Sequence, residues 1–241
     1  MRALIWFLIL SLVSGSAPGA GTDKERAVSP PAHADALWRI VHYCVDSTGA
    51  SEPPQCPKPR DPDVAASDPR CVSTTQVWAE NALYVAIRDQ KMCNCTGGFV
   101  HGLAIPSTRI TGIEADDLPE GIWTFAWDAA RTHIKDEESI ALVVNPPLGR
   151  TQNQLHIHLV RLRPGARQRF AGVTVTVPHL DQVWSVAKTL ASRLKLENYG
   201  LLVAKALRND GFTVLVQEFT GNNSPENEYV QDHCARSPSE F

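Results

Sequence analysis

The chain has 241 residues, of which 43% are hydrophobic and 20% are charged, and its formal net charge at pH 7 is −3. This composition excludes extended disorder and collagen-like repeats, and it supplies enough apolar residues for one large or two small domains. Proteins that bind nucleic acids in bulk usually carry a basic domain, so no nucleic-acid partner is expected for this slightly acidic chain.

The first twenty residues have the pattern of an export sequence. Arg2 precedes an apolar run over 3–13, and small residues dominate 14–20. The run is shorter than the roughly 17–25 residues that span a bilayer as a helix. We therefore expect a signal peptide over 1–20, with an uncleaved N-terminal anchor as the alternative because Pro18 disrupts the cleavage zone. Either form predicts an exported protein, periplasmic or membrane-associated.

Hydrophobic periodicity in the first half of the chain predicts two helices with a hairpin between them. In chain order the predicted elements are a flexible lead-in over 21–35, a helix over 36–44, an irregular loop over 46–70, strands over 82–88 and 99–105 joined by a turn over 94–98, and a helix over 119–134. Asp116 or Asp117 is expected near the start of the second helix, where acidic side chains are favourable.

The second half of the chain predicts further strands and one more helix. The elements are strands over 139–144 and 154–162, a helix over 180–194 with Gly200 as a stop soon after, and strands over 201–207 and 212–219 that flank a turn over 208–211. Taken together, the two halves predict an α+β fold with a mainly antiparallel sheet and helices packed on it.

The segment 145–159 carries the clearest chemical pattern. His156 and His158 are two residues apart on a predicted strand, so their side chains point the same way. Neutral hydrogen-bonding side chains and arginines lie around them: Asn145, Arg150, Thr151, Gln152, Asn153, Gln154, Arg161 and Arg163. A neutral imidazole can attack phosphorus while fixed donors neutralise phosphoryl oxygens. The alternatives are a zinc site completed by His101 or His133, or a structural pair of histidines.

The order of these motifs resembles the histidine triad (HIT) superfamily of nucleotide hydrolases and transferases. The shared pattern is a strand ending in proline at 101–106, a helix at 119–134, a strand at 139–144, and Gly149-Arg-Thr151 before Gln154-Leu-His156-Ile-His158. Within that superfamily, segments 36–41, 106–114, 149–158 and 231–234 look like CDP-diacylglycerol pyrophosphatases. The resemblance implies one HIT-like catalytic domain over 36–234, a tail over 235–241, and hydrolysis of CDP-diacylglycerol to CMP and phosphatidate.

The chain departs from the superfamily pattern because it has two of the three histidines. Either Gln154 stands in the first position and His156 in the middle, or His156 stands first and His158 in the middle. We favour the first register because it aligns Gly149-Arg-Thr151 with the family's Gly-x-Thr and places Arg163 near the family's later arginine. The middle histidine is the nucleophile in that superfamily. The resemblance therefore implies that His156 forms a nucleotidyl-histidine, while His158 orients or polarises the phosphate.

The same resemblance implies a set of substrate- and phosphate-binding residues and no metal or cofactor. The implied residues are Arg109, Asn145, Arg150, Thr151, Gln152, Gln154 and Arg163. Four arginines within 161–169 could contact an anionic headgroup or a membrane surface, with a solvated turn as the alternative. Other functions left open are a HIT-like hydrolase or nucleotidyltransferase with another substrate, and an exported nucleotide-lipid binding protein without activity. The sequence predicts no oligomeric state.

Six cysteines form an even set: Cys44, Cys56, Cys71, Cys93, Cys95 and Cys234. In an exported protein they are all disulfide candidates, with 15 possible connectivities. Cys93 and Cys95 are expected to bond elsewhere rather than to each other. A zinc site at this pair is the less favoured alternative, because one intervening residue is fewer than the usual ligand spacing.

Overall fold

A computed structural model describes residues 34–45, 58–59, 74–92, 95, 98–208, 210–231 and 233–234. These residues belong to one compact unit, Pro31–Phe241. The predicted signal peptide or anchor, most of the lead-in and the C-terminal tail lie outside the described residues, as do most of the loop over 46–70 and part of the predicted turn over 94–98.

Four α-helices and one π-helix lie among the described residues. They are α1 (Ala36–Arg39), which continues as the π-helix Ile40–Val45, α2 (Ile122–His133), α3 (Val183–Leu194) and α4 (Pro225–Tyr229). Short 3-10 segments lie at Gln90–Met92, Glu137–Ser139, Pro147–Gly149, Ala166–Arg169 and Leu180–Gln182. No helix within these ranges is both long and apolar enough to cross a membrane.

The strands form one large sheet and one small sheet. The strands are β1 (Lys58–Pro59), β2 (Thr74–Thr75), β3 (Val77–Glu80), β4 (Tyr84–Arg88), β5 (His101–Pro106), β6 (Ile140–Val144), β7 (Ile157–Arg161), β8 (Val173–Val177), β9 (Tyr199–Lys205) and β10 (Phe212–Glu218). β1 and β2 pair in parallel. The other eight form an antiparallel sheet in the order β3-β4-β5-β7-β6-β9-β10-β8. The predicted α+β class is therefore confirmed.

Alternation along the central strands gives the large sheet two buried faces. Ile157 and Leu159 of β7 lie in the core that includes Trp123 of α2 and Trp184 of α3. The opposite face is covered in two places. The N-terminal helix α1 and its π continuation pack on β4 and β5, while α4 and its neighbours pack on β6 and β9. This second face carries His158, because its cross-strand partners Leu103 and Val143 belong to those two clusters.

Both predicted hairpin pairings are confirmed, with shifted strand ends. β4 pairs with β5, and β9 pairs with β10, in antiparallel register. The strand predicted over 154–162 begins at Ile157, because the buried side chain of Gln154 bonds the loop after β5. Residues 154–156, which were predicted to begin the strand, therefore lie outside β7.

Two residues predicted to mark helix boundaries do not do so. The first residue of α2 is Ile122, preceded by Gly121, so Asp116 and Asp117 do not start that helix. Helix α3 ends at Leu194, and Lys195 takes the left-handed conformation with φ 57° that closes the helix. Gly200 lies inside β9 instead of stopping the helix. Its role is a close contact, since a Cβ there would lie 2.8 Å from Cδ of Pro225 in α4.

One disulfide joins described residues. Cys95, in the segment before β5, bonds to Cys234 near the C-terminus, across a sequence separation of 139 residues. The expectation that Cys95 bonds elsewhere than to Cys93 is therefore confirmed. Cys56, Cys71 and Cys93, and the side chain of Cys44, lie outside the described residues.

Candidate active site

A cavity of about 560 Å³ opens on the second face of the sheet, between the N-terminal helix and α4. One wall is apolar and includes Leu37, Ile40, Ile87 and Leu103. The facing wall is polar, and its residues come from the end of β6, the segment before β7, the 3-10 turn after β4, and α4. The cavity size is within the range of small-molecule sites.

His156 lies on the polar wall in a fixed orientation. It immediately precedes β7, is buried, and its Nδ1 lies 2.7 Å from the backbone oxygen of Gln154. A carbonyl oxygen only accepts, so Nδ1 carries the proton and donates it. The lone pair of the neutral ring is then on Nε2. Burial lowers the pKa of His156, which keeps the ring neutral at pH 7.

His158 lies beside His156, with the ring centroids 4.8 Å apart in an edge-on arrangement. Its Nε2 lies 3.2 Å from Nδ2 of Asn145 and 3.5 Å from Oε2 of Glu226. Burial lowers the pKa of His158, and this outweighs the opposing charge of Glu226. Both histidines of the motif are therefore neutral and held side by side.

A cluster of charged groups lies behind the two histidines. His101 of β5 is fully buried, with Nε2 3.0 Å from Oε1 of Glu226 and Nδ1 3.1 Å from Oδ2 of Asp89. Lys91 also donates to Oε1 of Glu226. Burial acts to lower the pKa of His101, but the two carboxylates raise it above its ordinary value. His101 is therefore an imidazolium between two carboxylates.

The carboxylates of Asp89 and Glu226 are ionised because they in turn face the imidazolium of His101. Burial acts to raise the pKa of both Asp89 and Glu226, but the hydrogen bond and charge of His101 lower both values, and the charge of Lys91 lowers that of Glu226 further. The second oxygen of Glu226 accepts a 2.6 Å hydrogen bond from Nδ2 of Asn145. A buried carboxylate is costly unless it is paired and hydrogen-bonded, and here both oxygens have donors.

Six of the nine residues predicted for the site line the cavity: Asn145, Arg150, Thr151, Gln152, His156 and His158. Arg150 reaches it while paired with Glu114, with Nη1 2.6 Å from Oε2. Gln152 also accepts from the backbone N–H of Leu37 at 3.1 Å, which ties the N-terminal helix to the polar wall.

The other three predicted residues lie away from the cavity. The amide of Gln154 donates to the backbone oxygens of Pro106 and Thr108, so it holds the loop after β5. Arg109 pairs with Asp35 at 2.7 Å. Arg163 follows β7, and its backbone N–H donates to Tyr229. The structure thus gives Gln154, which the favoured register expects in place of the first histidine, a contact that holds the loop after β5.

The predicted arginine patch after β7 is partly engaged within the protein. Arg161 donates to the backbone oxygen of Gly98 at 3.1 Å, and Arg167 donates to that of Glu138 at 2.8 Å. These hydrogen bonds use some of the N–H donors of the guanidinium groups that were predicted to contact a lipid headgroup or membrane surface.

Sequence reasoning missed Asp89, Lys91 and Glu226, and it considered His101 only as a zinc ligand. A sign of His101 was available, since it is a polar residue at the head of an otherwise apolar strand. Glu226 follows Ser224-Pro225, which is a pattern typical of a helix start, where a glutamate is unremarkable. Its role depends on long-range contacts that local sequence does not encode.

Three neighbouring residues bear on the alternative of a zinc site. Asp89, His101 and His158 each offer a ligand atom, and these atoms lie within 4.8 Å of one another. A tetrahedral zinc ion, with bonds of about 2.0–2.2 Å, holds its ligand atoms about 3.3–3.6 Å apart. Both ring nitrogens of His101 already face carboxylates. His133 stacks on Trp78, with ring centroids 3.9 Å apart. We therefore interpret the group as an ion-paired cluster.

Comparison with known proteins decides the family. The sequence model of the CDP-diacylglycerol pyrophosphatase family matches residues 32–190. The chain belongs to the CDP-diacylglycerol pyrophosphatase family. Proteins named CDP-diacylglycerol pyrophosphatase from Mycobacterium tuberculosis (strain ATCC 25177 / H37Ra) and Mycobacterium bovis (strain BCG / Pasteur 1173P2) are each 27% identical over 276 residues, covering 96% of this chain and 95% of the relative. The family resemblance predicted from the motifs is confirmed.

A further relative is similar over a shorter stretch of the chain. The CDP-diacylglycerol pyrophosphatase of Yersinia pestis is 27% identical over 150 residues, which cover 58% of this chain and 49% of that protein. The family model includes the motif with His156 and His158 and the segment with His101, and it ends before Glu226.

Proposed function

We propose that this chain hydrolyses CDP-diacylglycerol to CMP and phosphatidate, with His156 as the nucleophile. Membership of the CDP-diacylglycerol pyrophosphatase family supports the substrate and the reaction. The observation that carries the choice of nucleophile is the 2.7 Å hydrogen bond from Nδ1 of His156 to Gln154, which leaves the lone pair on Nε2. The corresponding Nε2 of His158 is occupied by Asn145.

The proposed reaction has two in-line steps. In the first, Nε2 of His156 attacks the cytidine-bound phosphorus, a P–N bond forms, and the bond from phosphorus to the bridging oxygen breaks. Phosphatidate leaves with that oxygen as a phosphate monoester, an anion stable enough to need little protonation. In the second step, water attacks the same phosphorus and loses a proton to solvent, the P–N bond breaks with its electron pair returning to Nε2, and CMP is released with His156 neutral again.

The residues that line the polar wall of the cavity support this reaction. Thr151 and the guanidinium of Arg150 line the polar wall near His156 and are proposed to contact the phosphoryl oxygens. His158 and Asn145 lie beside the attacking ring and are proposed to keep it and the phosphate aligned. These residues supply hydrogen bonds and charge without a cofactor.

The test is to incubate the purified protein with CDP-diacylglycerol in detergent micelles and follow CMP and phosphatidate. We expect release of both products by the native chain, no release by His156→Ala, and full activity of His179→Ala, since His179 is exposed and lies outside the cavity. Activity that persists in His156→Ala refutes the nucleophile. Loss of activity with a chelator favours a metal-dependent reaction instead.

A trapped intermediate separates the two possible sites of attack. Substrate labelled in the cytidine and substrate labelled in an acyl chain are quenched separately after a short reaction. The proposal expects protein-bound label from cytidine alone, lost in His156→Ala. Acyl label on the protein instead indicates attack on the lipid-side phosphorus. CMP binding without turnover indicates a binding protein.

We also propose that the chain is exported and works at a membrane surface. The basic start, the apolar run over 3–13 and the small residues that follow support export. The Cys95–Cys234 disulfide is the kind of bond that oxidising compartments maintain. Fractionation and intact-mass measurement of the expressed protein test this. Cleavage near residue 20 indicates a signal peptide, and an intact chain that fractionates with membranes indicates an anchor.

A further inference from the structure

Glu226 is the residue that connects the charged cluster to the motif histidines. It lies on α4, is buried, and is 81 residues from Asn145 in the sequence. Pro225 of the same helix packs directly on Gly200 of β9, so the helix is held close to the sheet. Nothing in the proposed reaction requires Glu226 to touch the substrate.

Its two oxygens face different partners. Oε1 receives the hydrogen bonds of His101 and Lys91, both cationic. Oε2 receives the hydrogen bond of Asn145 at 2.6 Å. A carboxylate accepts and never donates, so Asn145 must turn its NH₂ group, and not its oxygen, toward Glu226.

The orientation of Asn145 determines the protonation site of His158. The same Nδ2 that donates to Glu226 lies 3.2 Å from Nε2 of His158. Because Nδ2 has a second hydrogen and no lone pair to offer, Nε2 of His158 must accept. The proton of the neutral ring is then on Nδ1. The buried Nδ1 of His158 and Oδ1 of Asn145 have no hydrogen-bond partner within the described part of the chain. Oε2 of Glu226 lies 3.5 Å from Nε2 of His158, farther than Nδ2 of Asn145, so the amide is the nearer partner of Nε2.

We infer that Glu226 is a positioning residue that sets the Asn145 amide and, through it, the tautomer of His158. The positions of the cationic groups support the view that Glu226 orients Asn145 and not the reverse. Lys91 and His101 keep the carboxylate charged and hold Oε1, which leaves Oε2 to orient Asn145. The inference rests on the proposed function only for its kinetic consequence, since a tautomer is measurable without substrate.

The variant Glu226→Gln makes a sharp prediction. The cationic donors Lys91 and His101 retain the glutamine oxygen on their side, which turns the new NH₂ group toward Asn145. The Asn145 amide then reverses, its oxygen faces His158, and the proton of His158 moves to Nε2. Glu228→Gln is the matched control, because Glu228 lies on the same helix and contacts Asn223 and Gln217, away from the cavity.

The experiment is long-range ¹H–¹⁵N NMR on the full chain labelled at histidine, with His158 assigned by the cross-peaks missing in His158→Ala. We expect the Nδ1–H form of His158 in the native chain and in Glu228→Gln, and the Nε2–H form or a mixture in Glu226→Gln. Asn145→Ala is a second test, because it removes the amide that contacts both Glu226 and His158 while leaving Glu226 in place. We expect that His158 in this variant is no longer restricted to the Nδ1–H form. An Nε2–H form in the native chain, or an unchanged Nδ1–H form in both variants, overturns the inference.

The kinetic arm uses CDP-diacylglycerol and the same variants. Loss of groups that orient a reacting side chain commonly costs about 10–100-fold, and we expect such a fall in kcat with KM little changed in Glu226→Gln. A changed tautomer with native kcat overturns the role in positioning. If the native chain itself releases no CMP, the proposed function fails while the NMR result still decides the tautomer.

Discussion

Gly200 controls how closely α4 approaches the sheet, and its replacement by alanine tests the placement of Glu226. A Cβ at this position would lie 2.8 Å from Cγ and Cδ of Pro225 and 3.0 Å from the backbone oxygen of Val144. Carbon atoms in ordinary contact are about 3.5–4.0 Å apart, so the proline must move by about 0.7 Å or more. Overpacking of this kind costs about 1–3 kcal/mol of folding stability.

The same movement reaches the active site because Pro225 and Glu226 are consecutive. The hydrogen bond from Asn145 to Glu226 is 2.6 Å long, and a shift of about 0.7 Å directed along it would lengthen it to about 3.3 Å, beyond the usual range. Misplacement of about 1 Å can cost about 100-fold in rate. We therefore expect Gly200→Ala to lower kcat by about 10- to 100-fold while the chain stays folded.

The assay is CMP release alongside urea unfolding, with a rescue variant as the control. Pro225→Ala removes the two ring atoms that the new methyl group would strike, so the double variant should recover most of the lost activity and stability. Native kcat in Gly200→Ala refutes the reasoning. A loss that Pro225→Ala does not relieve places the cause elsewhere, in the contact with Val144.

Three further predictions follow from the fold and the site. Because burial lowers the pKa of His156 from its ordinary value of 6.5, its nucleophilic neutral form persists as the pH falls, and the acid limb of the kcat profile should lie below pH 6.5; a limb above 6.5 contradicts the assignment. Replacing both Cys95 and Cys234 by serine opens a crosslink across 139 residues and should cost about 2–5 kcal/mol in urea unfolding, whereas unchanged stability means the bond restrains nothing. Gly112 has φ +54°, and a Cβ there would lie 1.9 Å from Nη1 of Arg150, so Gly112→Ala should displace that guanidinium and raise KM for CDP-diacylglycerol; an unchanged KM argues against a phosphate contact by Arg150.

Local pattern was enough for the parts of the fold that depend on neighbouring residues. The alternation of apolar and polar residues places His156 and His158 on one side whether or not the strand extends to both, since side chains two apart share a face in extended backbone. The hairpins β4–β5 and β9–β10 were predicted for the same reason. The residues that mark helix boundaries were predicted less well. Lys195 closes α3 in a conformation favoured by glycine, while Gly200 is kept for a contact with Pro225 that no local pattern indicates.

The sequence by itself determined the class of fold, the family and the pair of motif histidines, because each depends on residue types at short, fixed spacings. Tertiary structure decided which atoms those histidines present. It turned Gln154 away toward the loop after β5, fixed His156 through a backbone carbonyl, and brought Glu226 against Asn145 from a distant helix. The reason is physical: a buried charge is stable only among partners that satisfy it. Here those partners come from β5, the residue after β6 and the turn after β4, which meet only in the folded chain.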